Sequence, residues 1–168
     1  MKKYTSYITP VLILLALAAW MSRSHIRNLF PPAMKFAGTP LHTIDDNRQL
    51  SVNDLKGNVL IVSCFQTWCV DCARETPVLN ELAAAIQSPA FKVVYITDES
   101  PEKIAAFRKR FASGNILFTQ ASTQLSDLGI SVFPSTFLLD KKGSVVKTKL
   151  EGYDWMKEEA AIRKLIAN

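Results

Sequence analysis

The sequence predicts an α/β domain, a mixed sheet flanked by helices, set behind a small hairpin and an N-terminal apolar segment. Three observations carry that expectation. Val59-Leu60-Ile61-Val62-Ser63-Cys64-Phe65 and Phe91-Lys92-Val93-Val94-Tyr95-Ile96-Thr97 are largely apolar, β-branched runs, the pattern of strands buried on both faces. Each is followed by apolar residues at helical spacing: Leu79, Leu82, Ala83 and Ile86, then Ile104, Phe107 and Phe111. Thr136–Leu139 and Val145–Thr148 then flank Asp140-Lys141-Lys142-Gly143, the signature of an antiparallel hairpin. Alternation followed by an antiparallel pair gives a mixed sheet.

Residues 1–22 open the chain. Lys2 and Lys3 precede a stretch, Tyr4 through Ser22, without charge. As a helix it reaches about 28 Å at about 1.5 Å per residue, close to the ~30 Å hydrocarbon core. Tyr4, Tyr7 and Trp20 lie near its ends, where aromatic belts form. A membrane anchor through residues 4–22 is expected; the alternative is a cleaved signal segment, with Ala16-Leu17-Ala18 resembling a cleavage site. Either would place the domain outside the cytoplasm.

Residues 23–37 read as a stalk, broken by Pro31-Pro32, and residues 38–168 as the folded domain. Within it, Leu41–Ile44 and Gln49–Val52 around Asp45-Asp46-Asn47 form the expected hairpin. Ser51 and Asp54 can cap a single turn ending near Lys56-Gly57. Pro101 suits the first turn of the second helix, and Trp155–Ile166 closes the chain as a helix.

The net charge of +5 looks at first like a preference for an anionic partner. Its distribution says otherwise. Lys2, Lys3, Arg23, Arg27 and Lys35 carry the whole excess, and residues 38–168 hold 15 basic and 15 acidic residues. A nucleic-acid binder would put the excess on its folded domain, so no nucleic acid is expected.

The chemistry centres on Trp68-Cys69-Val70-Asp71-Cys72, where the first buried strand ends and a helix begins. Unpaired N–H groups and the helix dipole there favour a thiolate at Cys69. Cys72, nearly one turn further in, lies on the same face within disulfide reach. Cys69 would attack a substrate disulfide and Cys72 would resolve the mixed disulfide. A zinc site would need two further ligands from Cys64, His25 and His42, so no metal and no cofactor is expected. A purely structural role is disfavoured because so short a loop yields little entropic stabilisation.

These residues resemble the membrane-anchored thioredoxin-like thiol-disulfide oxidoreductases of the TlpA/ResA type. Thr67-Trp68-Cys69-Val70-Asp71-Cys72, Glu75-Thr76-Pro77 and Phe133-Pro134-Ser135-Thr136-Phe137 match that family's motifs, over roughly residues 38–168. The resemblance implies a thioredoxin-like fold and a redox-active Cys69–Cys72 pair with Glu75 as proton carrier. It further implies a cis Pro134 beside the cysteines, a helix kinked at Pro77, and substrate binding by Trp68, Phe133 and Pro134. The Phe133 backbone would pair with an extended substrate segment.

The implied function is reduction of extracytoplasmic protein disulfides, for example in cytochrome c maturation or maintenance of exported thiols. Electrons would come from a membrane-embedded donor. Asp71, between the cysteines, disfavours a second negative charge and so argues against a strongly oxidising disulfide. Departures from the family pattern fall just upstream. Cys64-Phe65-Gln66 replaces a large-Trp-small triplet, and Ser63 stands where ordinary thioredoxins hold a buried acid. Cys64 reads as a small buried hydrophobe, or as a second redox partner if the strand opens. Two rival functions remain: a thiol peroxidase, in which Thr67 and Arg74 would have to hold the peroxidatic site, and a copper metallochaperone that uses the cysteines as soft ligands.

Overall fold

The computed structural model describes residues 35–112, 114 and 116–168. The expected anchor, and the stalk as far as residue 34, lie outside the described residues. Among those described, no helix is long and apolar enough to cross a membrane.

Seven strands form one sheet: β1 (Leu41–Thr43), β2 (Gln49–Leu50), β3 (Val59–Cys64), β4 (Phe91–Thr97), β5 (Ile116–Ala121), β6 (Ser135–Leu139) and β7 (Val145–Leu150). Their spatial order is β2-β1-β5-β4-β3-β6-β7. β3, β4 and β5 run parallel, and β6 and β7 continue antiparallel from β3. The β1–β2 hairpin adds antiparallel to β5 at the other side. Three helices complete the fold: α1 (Val70–Ile86), α2 (Pro101–Phe111) and α3 (Glu159–Ala167).

Every residue of β3 is buried, as an apolar strand between two neighbours requires. Register partners share a face, so Ser63, Tyr95, Phe118 and Thr136 point the same way from four strands. The α-helices meet the sheet on that face. Leu79, Leu82 and Ile86 of α1, Ile104 and Phe107 of α2, and Trp155 and Ile162 at the C-terminus share one core with it. Phe65, just past β3, lies 5.0 Å from Tyr95, 4.9 Å from Phe107 and 5.9 Å from Phe118, centroid to centroid. These aromatic contacts anchor the chain as it leaves the sheet for Cys69.

Two features differ from the sequence expectation. The pattern predicts no strand between α2 and Thr136, yet β5 lies there, between β4 and β1. Its Ile116-Leu117-Phe118 start is strand-like, but the run is short and its partners are remote in sequence. Packing also begins before Gly38: Lys35–Gly38 form a 3-10 turn, and Phe36, in the expected stalk, is 1% exposed and 5.2 Å from Phe137. A lone aromatic close to Pro31-Pro32 carries no periodicity to mark it as core.

Local signals elsewhere agree with the structure. Asp54 accepts from the backbone N–H and hydroxyl of Ser51, at 2.7 and 2.8 Å, and holds the turn Val52–Leu55. Asp140 Oδ1 accepts from the N–H groups of Lys142 and Ser144, and Gly143 takes φ +82° to close the β6–β7 turn.

Candidate active site

Cys69 is the N-cap of α1, and its Sγ accepts the Cys72 backbone N–H at 3.1 Å. A sulfur thus takes the place usually filled by a capping oxygen, at the positive end of the helix. Cys69 and Cys72 are joined as a disulfide, with Cα atoms 5.3 Å apart. Both are buried, Cys72 completely. Trp68, 70% exposed, stands next to Cys69 and meets the Phe133 ring edge-on at 6.1 Å.

The Phe133–Pro134 peptide is cis. The Pro134 carbonyl accepts the Glu151 N–H, tying this loop to the end of β7. Neither backbone group of Phe133 is hydrogen-bonded among the described residues. Exposed Val70 and Val132 extend the apolar surface around Trp68 and Phe133.

Three residues after Cys72 on α1 lies Glu75, only 2% exposed. Its carboxylate is bound on both oxygens. Trp155 Nε1 donates to Oε1 at 2.8 Å, while Thr136 Oγ1 and Ser63 Oγ donate to Oε2 at 2.9 and 3.2 Å. The two hydroxyls are themselves 2.9 Å apart. Burial pushes the Glu75 carboxyl above its ordinary range, and these donors only partly offset that. Beside it, the Tyr95 phenol donates to Thr76 Oγ1 at 3.1 Å, and Thr76 donates to the Cys72 carbonyl at 2.7 Å. Glu75 is thus a buried carboxyl and not a solvated surface glutamate.

The loop before the cysteines is held by the residues that follow β4. Gln66 Nε2 donates to Asp98 Oδ1 at 2.7 Å, and Thr67 gives its N–H and hydroxyl to Glu99. Arg74 pairs with exposed Asp71 at 3.1 Å. Thr67 and Arg74 therefore have other partners than a peroxidatic centre. Cys64 is fully buried in β3, with its thiol pushed up to about 12 by burial, which makes it unreactive in the folded chain. His42 sits on β1, three strands from β3, and His25 lies outside the described residues. No cluster of three or more His, Cys, Asp or Glu that could hold a metal occurs among the described residues.

Sequence reasoning does not find Trp155, Thr136 and Ser63 as the partners of Glu75. It marks Ser63 only as the residue in place of a buried acid, and nothing in the spacing points to the other two.

The Redoxin sequence profile matches residues 29–166. The chain belongs to the Redoxin family. It is similar to the thiol-disulfide oxidoreductase ResA of Geobacillus thermodenitrificans, 28% identical and covering 88% of each chain. It is also similar to the thiol:disulfide interchange protein DsbE of Pseudomonas fluorescens biotype C, 26% identical, with 86% of this chain and 83% of that one covered. Among solved structures, the thioredoxin domain of a thiol-disulfide oxidoreductase from Bacteroides vulgatus superposes with a TM-score of 0.61 at 24% identity, covering 78% of this chain and 97% of that one. This Redoxin is a thioredoxin-like thiol-disulfide oxidoreductase of the ResA/DsbE type.

Proposed function

We propose that the chain reduces disulfides of extracytoplasmic proteins through Cys69 and Cys72, with Glu75 carrying the proton. The observation that carries the reading is the stacking of three groups at one helix start: the capping sulfur, its partner one turn deeper, and a buried carboxyl another turn on. In the reduced protein the Cys69 thiolate attacks one sulfur of the substrate disulfide, and the other substrate sulfur leaves as a thiolate. The Cys72 thiol gives its proton to Glu75, and the new thiolate attacks Cys69 Sγ. The Cys69–substrate bond breaks and the second substrate sulfur departs. Two electrons have passed to the substrate, the Cys69–Cys72 disulfide has formed, and Glu75 returns its proton to the medium or to the leaving thiolate.

Trp68, Phe133 and Pro134 form the substrate surface in this reading. The unbonded Phe133 backbone supports pairing with an extended segment, and the rings supply apolar contact. The reducing direction is supported by Asp71, between the cysteines, whose charge opposes a thiolate at Cys69, an effect that its solvent exposure and its 3.1 Å pairing with Arg74 both reduce. The N-terminal apolar segment supports a membrane anchor and a membrane-embedded electron donor.

Replacing Cys72 by Ser tests the assignment. C72S should accumulate mixed disulfides through Cys69 with exported proteins, and C69S should accumulate none. Equal trapping by both variants contradicts this division of roles between the two cysteines. Direction is read separately by titrating the disulfide against glutathione, where a potential near about −120 mV, the strongly oxidising end of such proteins, rules out a reductant.

A further inference from the structure

The environment of Glu75 is asymmetric in a way that matters for a proton carrier. Oε1 faces the Trp155 indole N–H, and the Tyr153 backbone N–H is a further donor to the carboxylate; both can donate and never accept. Oε2 faces two hydroxyls, each able to do both. With Glu75 ionised, Ser63 and Thr136 both donate to Oε2. With Glu75 protonated on Oε2, that proton goes to Thr136 Oγ1, Thr136 donates to Ser63, and Ser63 donates back to Oε2. The 2.9 Å separation of the hydroxyls allows the third bond. Every polar group stays satisfied in both states, and Trp155 never has to move.

We propose that Trp155 is a positioning residue for Glu75: its N–H fixes Oε1, so that the proton exchanged with the redox pair enters and leaves on Oε2. The inference rests on Glu75 being the proton carrier. Trp155 is itself immobilised, fully buried and edge-on to Tyr153 at 5.3 Å. Tyr153 donates to Glu158 Oε1 at 2.7 Å, and Lys147 pairs with the same carboxylate. The indole is thus backed by a braced cluster.

Other groups near Glu75 leave its titration distinct. From β4, Tyr95 has its phenol pushed up by burial and by the Glu75 charge, and stays neutral. From the C-terminal segment, Tyr153 is pushed up by Glu158, while Lys147 pushes Glu158 down and is itself raised. β3 and β6 contribute only hydroxyls, and α1 contributes the cysteines themselves, with exposed Asp71 at its start.

The test is the pH dependence of resolution: the rate at which glutathione, placed on Cys69 of the full chain as a mixed disulfide, is released by Cys72. The rate should rise through an inflection at which Glu75 ionises, and E75Q should lose that inflection. W155F should move it upward by about one pH unit or more, the loss of a charge-assisted bond. Because W155F also leaves a void, benzothienylalanine at position 155, with sulfur in place of the N–H and nearly the same volume, should shift the inflection equally. An unshifted inflection in the isosteric variant, whatever the rate, overturns the role of Trp155 while leaving Glu75 in place. If E75Q keeps the wild-type profile, the role of Glu75 fails, and this inference with it.

Discussion

Thr136→Val separates a buried ionisable site from an ordinary hydrogen-bonded one. The substitution keeps the shape and removes one hydroxyl that is fully buried and bound to Glu75 Oε2 at 2.9 Å. When Glu75 is ionised, that bond is charge-assisted and worth about 1.5–3 kcal/mol; when Glu75 is protonated, the bonds are neutral and worth about 0.5–1.5 kcal/mol each. In the variant the proton of neutral Glu75 can pass instead to Ser63 Oγ, 3.2 Å from Oε2, so the protonated state loses about one neutral bond net. T136V should therefore cost about 1 kcal/mol more at a pH above the Glu75 titration than below it. The sign follows from linkage. Thr136 stabilises the charged form, so its contribution is present above the folded-state pKa and shrinks as pH falls through it. The assay is denaturant unfolding of the oxidised chain across pH, for wild type, T136V, E75Q and the double variant. In the E75Q background the pH dependence of the Thr136 effect should vanish. A cost that is independent of pH and additive with E75Q would refute the reasoning.

Further outcomes follow from the same geometry. In the reduced native chain, alkylation at neutral pH should label Cys69, at the helix start, and spare Cys64, whose thiol is raised to about 12 inside β3; mass mapping showing native labelling of Cys64 contradicts its assignment as core. E75Q should gain stability over wild type as pH rises. Glu75 is raised on folding, so its favourable contribution is full below the unfolded carboxyl value and is lost as pH rises through the folded one. Parallel melting curves across pH would contradict that. Phe65→Ala, which removes the ring shared by Tyr95, Phe107 and Phe118, should cost about 3–5 kcal/mol in denaturant unfolding. A cost under about 1 kcal/mol would show that the cluster does not anchor the active-site loop.

Much of the fold is legible in the sequence because its signals are local. β3 and β4 read as largely apolar runs, Cys69 and Cys72 fall where a strand yields to a helix, and Ser51–Asp54 caps a turn at the expected place. β5 escapes because six residues whose partners lie far off in β1 and β4 carry little period of their own. Within the site, the i, i+3 spacing puts Glu75 on the face of Cys72, but its burial depends on groups 61 and 80 residues away, Thr136 and Trp155. Such convergence is a property of the register between β3 and β6 and of where the C-terminal segment docks. Neither leaves a mark in the spacing of either residue.

The central claim is that Cys69 and Cys72 pass two electrons to a protein disulfide. It is tested most directly by mixing the fully reduced chain with equimolar insulin and mapping all thiols by differential alkylation and mass spectrometry. One Cys69–Cys72 disulfide should form for each insulin disulfide opened, with Cys64 still a thiol. Intact insulin beside two alkylatable cysteines, or oxidation that runs through Cys64, would contradict the account.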